Sequence, residues 1–343
     1  MSSIAVVILN FNGRALLKKF LPGVVQFSGQ AKIVVADNNS TDGSREWLQT
    51  AFPQVQLIHL PANLGFCAGY NAALRQLRAT YFVLLNSDVE VTPDWLTPLT
   101  NVLEGDPRAG AVQPKIRSYA RRQHFEYAGA GGGFIDWLGF PFCRGRIFNT
   151  LEADHHQYDD TLPVFWASGA CLAVKADLFL QLGGFDEHFF AHMEEIDFCW
   201  RLKRAGYQVI YCGASTVYHV GGATLSVGSP RKTYYNFRNG LAMLVKNLHP
   251  TSLPLILALR LALDWLAAAT FLFSGKGRHA WAVLKAHIYL LYHGYSLLKK
   301  RHHLAATLPH YAVDQVYEKS IVVEYFVLRN KKFTALKRIS NPR

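Results

Sequence analysis

Several familiar signatures are missing from this 343-residue sequence. Its five cysteines are odd in number and scattered, with no CxxC pair, so we expect reduced, mostly buried thiols in a cytoplasmic protein. The first apolar run, Ile4–Leu9, is short and leads straight into Asn10, so we expect no secretory leader. No GxGxxG or GxxxxGK[ST] motif follows a predicted strand, which argues against a dinucleotide or P-loop site.

Acidic residues are scarce in the last third of the chain. Residues 225–343 hold 18 of the 36 Lys and Arg residues but only 4 of the 24 Asp and Glu residues. The apolar runs of the chain lie in the same part, and this pairing indicates an anionic membrane surface more than nucleic acid. No recognisable reader motif is present, so we expect no nucleic-acid partner. The length allows one large domain of roughly 220–250 residues with an appendage, or two domains.

Strands alternate with helical patterns along the first half of the chain. Buried strands are predicted at Ile4–Leu9, Lys32–Ala36, Val55–His59 and Tyr81–Leu85, and apolar residues at helical spacing follow the first three. This alternation is typical of parallel βαβ units. We therefore predict an α/β fold with a Rossmann-like, mostly parallel sheet flanked by helices.

Polar side chains follow the ends of these strands. Ligands of open α/β sheets bind beyond the carboxyl ends of the strands, so these side chains point to a site. The carboxylate of Asp88 suits Mg²⁺ or Mn²⁺ that is also held by substrate phosphates, and Asp37 could accept the ring N–H of a pyrimidine base. A solvated turn or a helix cap is the alternative for each residue taken singly. The residues are Asn10, Asp37, Asn39, Asp42, Asn63, Asn71, Asn86 and Asp88.

The fifty residues after a further strand at Ala109–Lys115 lose periodicity. They include the glycine-rich YAGAGGGF at 127–134 and an acidic, histidine-bearing stretch at 151–160. A loop this long inside a compact enzyme predicts an acceptor-side lid, with partial disorder as the alternative. The run VFWASGACLAV at 164–174 then returns as a buried, strand-like segment.

An acidic cluster opens a helix predicted to begin near Met193. Glu194 and Asp197 are i,i+3 neighbours on it, and Asp197 with Arg201 forms an i,i+4 ion pair. An ordinary acidic helix start that suits the helix dipole is one interpretation. The apolar setting of Phe189, Phe190, Phe198 and Trp200 instead predicts a raised carboxyl pKa. A carboxylate of that kind can act as a general base.

Four motifs together resemble the family 2 glycosyltransferases of the GT-A fold. They are ILNFN, DNNSTDGS, NLGFCAGYN and LLNSDVEV, and they resemble more narrowly the rhamnosyltransferase-like branch that builds bacterial surface polysaccharides. The resemblance covers about residues 4–225 and continues more weakly to about 250. It implies that the polar set at the strand ends, Asp42 excepted, binds a nucleotide sugar, with Asp37 on uridine or thymidine. It also implies that Asp88 is the last residue of the metal motif, whose first position here is Asn86; the donor diphosphate should then hold more of the Mg²⁺ or Mn²⁺.

The resemblance also assigns the chemistry. The second acid before DFCWR becomes the base, which is Glu195, with Glu194 as its close competitor and with Asp197 and Arg201 as structural support. His219, at the end of the strand predicted within Gly206–His219, would join the metal, and a packing histidine is the alternative.

Two further residues are assigned to the acceptor or the diphosphate. One is Trp166 in the strand-like run at 164–174. The other is Arg238, in a basic, aromatic segment at 229–247 that resembles the family's tyrosines followed by Arg-Asn. A solvated basic face is the alternative for Arg238.

Two apolar stretches lie in the basic third of the chain. Leu253–Phe273 is long enough to span a bilayer, but it contains Arg260 and Asp264, an i,i+4 pair that is costly inside a membrane. A second stretch, Trp281–Leu298, is followed by three basic residues. We predict a helical hairpin in the membrane interface, with a buried helical pair or an oligomer interface as the alternative.

The whole sequence therefore predicts a GT-A domain at 1–228 and a basic, helical, membrane-associating region at 229–343. The expected activity is an inverting, metal-dependent transfer of a sugar from a dTDP- or UDP-linked donor, with rhamnose expected from the resemblance. The acceptor would be a lipid-linked saccharide at the cytoplasmic face of the inner or plasma membrane, and the enzyme would be peripheral or monotopic there. Alternatives are a UDP-hexose, N-acetylhexosamine or galactofuranose transferase of the same fold, a nucleotidyltransferase, and a non-catalytic membrane scaffold.

Overall fold

The computed structural model describes residues 2–127, 129–221 and 228–336. The strands are β1 (Ile4–Asn10), β2 (Lys32–Asp37), β3 (Gln56–His59), β4 (Tyr81–Asn86), β5 (Val89–Val91), β6 (Ala109–Ser118), β7 (Gly133–Asp136), β8 (Pro141–Cys143), β9 (Arg146–Ile147), β10 (Thr150–Leu151), β11 (Thr161–Val164), β12 (Cys171–Lys175), β13 (Gln208–His219) and β14 (Val316–Tyr317). The helices are α1 (Arg14–Phe27), α2 (Ser44–Ala51), α3 (Gly65–Leu74), α4 (Thr97–Gly105), α5 (Ala176–Gln181), α6 (Glu194–Arg204), α7 (Pro230–Asn247), α8 (Leu253–Phe273) and α9 (Gly277–Thr307).

A large central sheet carries the fold. Within the described residues its strand order is β11-β13-β6-β12-β4-β1-β2-β3, and β5 pairs with β13. β1 lies parallel to β2 and β4, whereas β12 is antiparallel to both of its neighbours. Separate apolar clusters cover the two faces of the sheet, which is why the central strands are apolar throughout. The predicted α/β fold with flanking helices is confirmed.

The register of the parallel strands brings their polar ends together. Asn10 at the end of β1 lies opposite Asp37 at the end of β2, and Leu9 of β1 lies opposite Asn86 at the end of β4. The apolar run that forms β4 is buried on both faces up to Leu85, and the chain becomes polar where it leaves the sheet. The polar strand ends therefore meet at one edge of the sheet, and this is the edge where the strand pattern predicts a site.

A second, small sheet occupies part of the segment that was expected to be irregular. Its strand order is β10-β9-β8-β7-β14, so residues 133–151 pair with a strand from near the end of the described chain. Asp136 joins the two regions, since its Oδ2 accepts a hydrogen bond from the Ile321 backbone N–H at 2.9 Å. The expectation of an irregular loop is wrong, because strands of two to four residues are too short to show a periodic pattern. The acceptor-side role of this segment stays a prediction.

Helices α7, α8 and α9 pack beside the sheet rather than apart from it. Lys246 of α7 lies 2.9 Å from Asp197 of α6, and Lys300 of α9 lies 2.5 Å from Asp186. The predicted Arg260–Asp264 pair is present in α8 at 3.2 Å. Among the described residues one helix, α8, is long and apolar enough to cross a membrane, by length and composition alone. The division of the chain after residue 228 stays a prediction.

Candidate functional site

A hydrogen-bonded pair closes the ends of β1 and β2. The Asn10 side-chain amide donates to Asp37 Oδ1 at 3.2 Å and to the Ser40 hydroxyl at 3.1 Å. Asp37 Oδ2 accepts the Ser40 backbone N–H at 3.0 Å. Both side chains are buried where the two strands end, so Asp37 is held as a fixed acceptor. Their predicted contact with the nucleotide stays a prediction.

The remaining amides of the predicted set lie in the loops after the strands or, for Asn71, inside α3, and most of them bond to neighbouring segments. Asn38, which the sequence reasoning did not select, donates to Asn63 Oδ1 at 3.1 Å and to the Gly65 carbonyl at 3.0 Å. Asn39 is partly exposed and has a left-handed backbone, with φ at 63°. Asn71 donates to the Phe185 carbonyl and to Glu187, so both hydrogens of its amide are engaged. The predicted contacts of Asn39, Asn63 and Asn71 with the nucleotide sugar stay predictions.

Asp88, His219 and Glu126 form a buried cluster that we call the acid–histidine corner. His219 Nε2 lies 3.1 Å from Asp88 Oδ1, and His219 Nδ1 lies 3.3 Å from Glu126 Oε2. The pairing of His219 with Val89 in the β13–β5 ladder sets the first of these contacts. The sequence placed Asp88 and His219 together, and the structure does so too. Asn86 lies partly exposed, two residues before Asp88.

Glu126 is the member of this corner that the sequence reasoning missed. It lies within the aperiodic segment, and its backbone N–H donates to the Ile116 carbonyl of β6 at 3.1 Å. No local motif marks it, because it meets His219 only through the pairing of β6 with β13.

The corner favours a positive charge between its two carboxylates. Burial lowers the pKa of His219, but hydrogen bonds and charge from Asp88 and Glu126 outweigh burial and raise this pKa to about 10. Burial raises the pKa of Asp88, yet contact with His219 brings it below its usual value. Without a metal ion the imidazole is therefore protonated and supplies the positive charge.

The side chains of Asp88 and His219 are also of types that ligate divalent cations. Ligand atoms about 2.1 Å from an octahedral Mg²⁺ lie about 3.0 Å apart when they are adjacent. The 3.1 Å between His219 Nε2 and Asp88 Oδ1 matches that spacing. Glu126 lies behind the imidazole, where a carboxylate commonly orients a metal-binding histidine. Across the described ranges no group of three or more His, Cys, Asp or Glu residues is arranged to hold a metal ion.

Glu194 and Glu195 open α6, directly after two residues with left-handed backbone, His192 and Met193. The Glu194 side chain is buried and Glu195 is partly exposed. Burial, with a further contribution from the charge of Glu195, raises the pKa of Glu194 well above its usual value. Burial also raises the pKa of Glu195, to about 7. Both shifts have the direction that the sequence predicts, and burial is the largest cause of each.

Asp197 and Arg201 anchor α6 in the core. The predicted pair is present, with Arg201 Nε donating to Asp197 Oδ2 at 3.0 Å. Arg201 also donates to the carbonyls of Leu182 and Gly184, at 2.6 and 2.7 Å. Asp197 is held further by Lys246 at 2.9 Å. These contacts fit the structural role that the sequence reasoning gave to both residues.

Trp166 and Arg238 make contacts with the protein itself. The Trp166 indole N–H donates to the Phe134 carbonyl at 2.9 Å, and the ring is buried against β7. Arg238 Nη2 donates to the carbonyls of His188 and Phe189, at 2.7 and 2.8 Å. The predicted contact of either residue with acceptor or diphosphate stays a prediction.

Lys232 is a second residue that the sequence reasoning missed. Burial lowers the pKa of its ammonium, Glu126 and Glu195 raise it, and Arg146 lowers it. The ammonium of Lys232 is therefore within electrostatic range of both the acid–histidine corner and α6. It also lies 5.5 Å from the ring centroid of Tyr127. The basic, aromatic run at 229–247 contains Lys232, but the sequence reasoning selected Arg238 from that run as the candidate binding residue.

Residues 5–157 match the family described as Glycosyl transferase family 2. Over 231 residues the chain is 30% identical to N-acetylglucosaminyl-diphospho-decaprenol L-rhamnosyltransferase of Mycobacterium tuberculosis, which covers 62% of this chain and 75% of that protein. It is 24% identical to the low-salt glycan biosynthesis hexosyltransferase Agl10 of Haloferax volcanii, over 70% of this chain and 74% of that protein.

Solved glycosyltransferases share the fold. The crystal structure of GalNAc-T7 with UDP, GalNAc and Mn²⁺ superposes with a TM-score of 0.55 and 16% identity, covering 73% of this chain. This chain spans about half of that one, 49%. The mannosyltransferase PcManGT from Pyrobaculum calidifontis, in complex with GDP-Man and Mn²⁺, gives 0.51 and 16% identity over 84% of this chain and 87% of its own.

These matches and the strand-end site define a sugar-transferring enzyme with a GT-A-like α/β fold. The chain belongs to the family 2 glycosyltransferases.

Proposed function

We propose that the enzyme transfers a sugar, expected to be rhamnose, from a dTDP- or UDP-linked donor to a lipid-linked saccharide, with inversion at the anomeric carbon. The observation that carries this proposal is that one cation, Lys232, lies within electrostatic range of Glu126 and of Glu195. A donor diphosphate at the acid–histidine corner would therefore have this cation within range of its charge. The name of the mycobacterial relative, a diphospho-decaprenol L-rhamnosyltransferase, supports both the rhamnose and the lipid-linked acceptor.

Residues at the ends of the strands would bind the donor. Asp37, fixed by Asn10 and Ser40, would accept the ring N–H of uracil or thymine. Asp88 and His219 would hold a Mg²⁺ or Mn²⁺ ion, which when bound would stabilise the charge on the leaving diphosphate. Lys232 would contact the same diphosphate and compensate its charge from the opposite side.

Glu195 would activate the acceptor as a general base. The acceptor hydroxyl oxygen bonds to the anomeric carbon as the bond from that carbon to the diphosphate oxygen breaks, and the diphosphate leaves with the electron pair. The hydroxyl proton goes to the Glu195 carboxylate. Glu195 suits this role better than Glu194, because a pKa of about 7 leaves much of Glu195 ionised at neutral pH, whereas burial raises the pKa of Glu194 well above its usual value.

The exposed surface of α8 and α9 indicates where the enzyme would lie relative to the membrane. In α8 the inward stripe is Ile256, Arg260, Asp264 and Ala268, and the exposed side chains include Trp265, Leu266 and Phe273. Because both charged residues face the enzyme, we propose that α8 lies in the membrane interface and does not span the bilayer. Lys276 and Arg278 near the turn of the hairpin would meet anionic headgroups at the cytoplasmic face.

Nucleotide release from a panel of nucleoside-diphosphate sugars, with membrane extract as acceptor source, tests the proposal. We expect release from one donor in the presence of Mn²⁺ or Mg²⁺, with loss on EDTA addition and in Asp88→Ala. Glu195→Gln should lower kcat by about 10²–10⁴-fold. The matched control is Glu104→Gln, since Glu104 is an exposed acid on α4, remote from the cleft. Wild-type turnover of both Asp88→Ala and Glu195→Gln would refute the mechanism.

A further inference from the structure

The segment before α6 has an unusual backbone. We call residues 186–193 the catalytic loop, because it leads directly into Glu194 and Glu195. Phe190, His192 and Met193 in this loop have φ values of 64°, 70° and 70°. Side chains other than glycine rarely adopt this region, and a loop that adopts it three times must be held by its surroundings.

Helix α7 supplies much of that hold through Asn239. The single Asn239 amide nitrogen lies 3.1 Å from the Phe189 carbonyl oxygen, 3.0 Å from that of Ala191 and 2.6 Å from that of His192. The side chain is fully buried. Three carbonyls of a strained segment therefore converge on one amide group.

Arg238 fixes which way that amide faces. Its Nε donates to Asn239 Oδ1 at 2.7 Å, so the oxygen faces Arg238 and the NH₂ group faces the loop. Its Nη2 donates to the carbonyls of His188 and Phe189. The remaining carbonyl, that of Phe190, accepts from the backbone N–H groups of Phe66 and Cys67 at the start of α3. Each carbonyl from residue 188 to residue 192 thus has an external donor.

We propose that Asn239, oriented by Arg238, is a positioning residue that holds the catalytic loop in the shape that presents Glu195 to the acceptor. This inference rests on the proposed role of Glu195 as the base. It gives Arg238 a role on the loop in place of the diphosphate. We call the contacts of Asn239 and Arg238 with this loop the clamp. The clamp acts through geometry, since a misplacement of about 1 Å at a reacting group costs on the order of 10²-fold in rate.

The test compares Asn239→Ala and the milder Asn239→Ser with Arg204→Leu. Arg204 is a matched control, because it is buried at the far end of α6 and donates to the carbonyls of Leu304, Leu308 and His310. We expect kcat of Asn239→Ala to fall by about 100-fold with donor KM nearly unchanged, and Asn239→Ser to fall less. Arg204→Leu should lose comparable stability and keep kcat.

The pH profile separates positioning from general destabilisation. Among the described residues, the charged and titratable groups that interact with Glu195 are Glu194 and Cys199 on α6, Lys232 on α7 and Cys67 on α3. If the loop relaxes, Glu195 gains solvent, and the acid limb of kcat should move from about pH 7 towards its ordinary carboxyl range in Asn239→Ala alone. An unshifted limb, or an equal loss of kcat in Arg204→Leu, would overturn the clamp.

Amide hydrogen exchange of the wild-type protein needs no variant. The clamp requires slow exchange of the Phe189, Phe190 and Ala191 N–H groups, which bond to carbonyls within the loop and lose those bonds if its shape is lost, and rapid exchange there would overturn it. A normal kcat of Asn239→Ala beside an inactive Glu195→Gln would overturn the clamp alone. Full activity of Glu195→Gln would overturn the base assignment itself.

Discussion

Replacing Arg260 by leucine distinguishes a helix that packs on the enzyme from one that crosses the bilayer. Arg260 and Asp264 are 3% and 1% exposed, and their side chains lie 3.2 Å apart. Arg260 also lies 3.3 Å from the Leu138 carbonyl oxygen, and its guanidinium lies 3.7 Å from the Phe140 ring centroid. The variant would leave Asp264 buried beside His287 alone, at 3.4 Å.

The expected cost can be worked from these contacts. Breaking a buried ion pair by removing one partner costs about 3–5 kcal/mol, because the other charge stays buried. For a domain of this size 1 kcal/mol corresponds to about 2 °C in Tm, so Arg260→Leu should melt roughly 6–10 °C lower. If α8 spanned the bilayer, the substitution would instead be stabilising, since removing a central arginine favours insertion by about 2.5–3.5 kcal/mol.

Thermal and urea unfolding of the full chain, followed by tryptophan fluorescence, measure this effect. Lys276→Leu is the control, because Lys276 is exposed at the turn between α8 and α9. The double variant Arg260→Leu/Asp264→Leu should recover much of the loss, since it leaves no unpaired carboxylate. An unchanged or raised Tm in Arg260→Leu would refute the packing of α8 on the enzyme.

Three further outcomes are expected. Turnover, measured as nucleotide release from pH 5 to 9, should fall about tenfold per pH unit below about 7, because Glu195 must be ionised; a flat profile down to pH 5 would contradict this. Glu126→Gln should weaken Mn²⁺ binding by about 10–100-fold in a calorimetric titration, since Glu126 orients His219, and unchanged affinity would exclude that role. Phe273→Ser, at a side chain 90% exposed, should weaken cosedimentation with anionic vesicles about tenfold or more, and wild-type binding would remove this face from the membrane contact.

Local patterns predicted much of the fold and part of the site. The apolar run of β4 and the polar residues after it gave the sheet edge, and i,i+4 spacing gave the Asp197–Arg201 and Arg260–Asp264 pairs. These features depend on neighbours within a few residues, so a single sequence contains them.

Contacts between distant segments escaped the sequence reasoning. Asn239 meets the catalytic loop about fifty residues away, and Ile321 meets Asp136 across 185 positions. Glu126 reaches His219 only because β6 lies beside β13. Each partner is an ordinary polar residue in its own segment, and only the tertiary arrangement gives it a role.

Some basic residues of the last third of the chain contact the enzyme itself and not the membrane. Lys246 is buried between Asp186 and Asp197, and Arg301 donates to the Val245 carbonyl at 2.7 Å. Lys300 binds Asp186 at the start of the catalytic loop, and burial there raises the pKa of Asp186 less than the ammonium groups of Lys246 and Lys300 lower it. The same helices therefore present apolar side chains outward and cations inward to the segment that carries the base. Under the proposals made above, the docking of α8 and α9 and the presentation of Glu195 depend on one packed unit. Activity measured without a membrane surface should therefore respond to mutations on the face of these helices that packs on the enzyme. It should not respond to mutations on their exposed face.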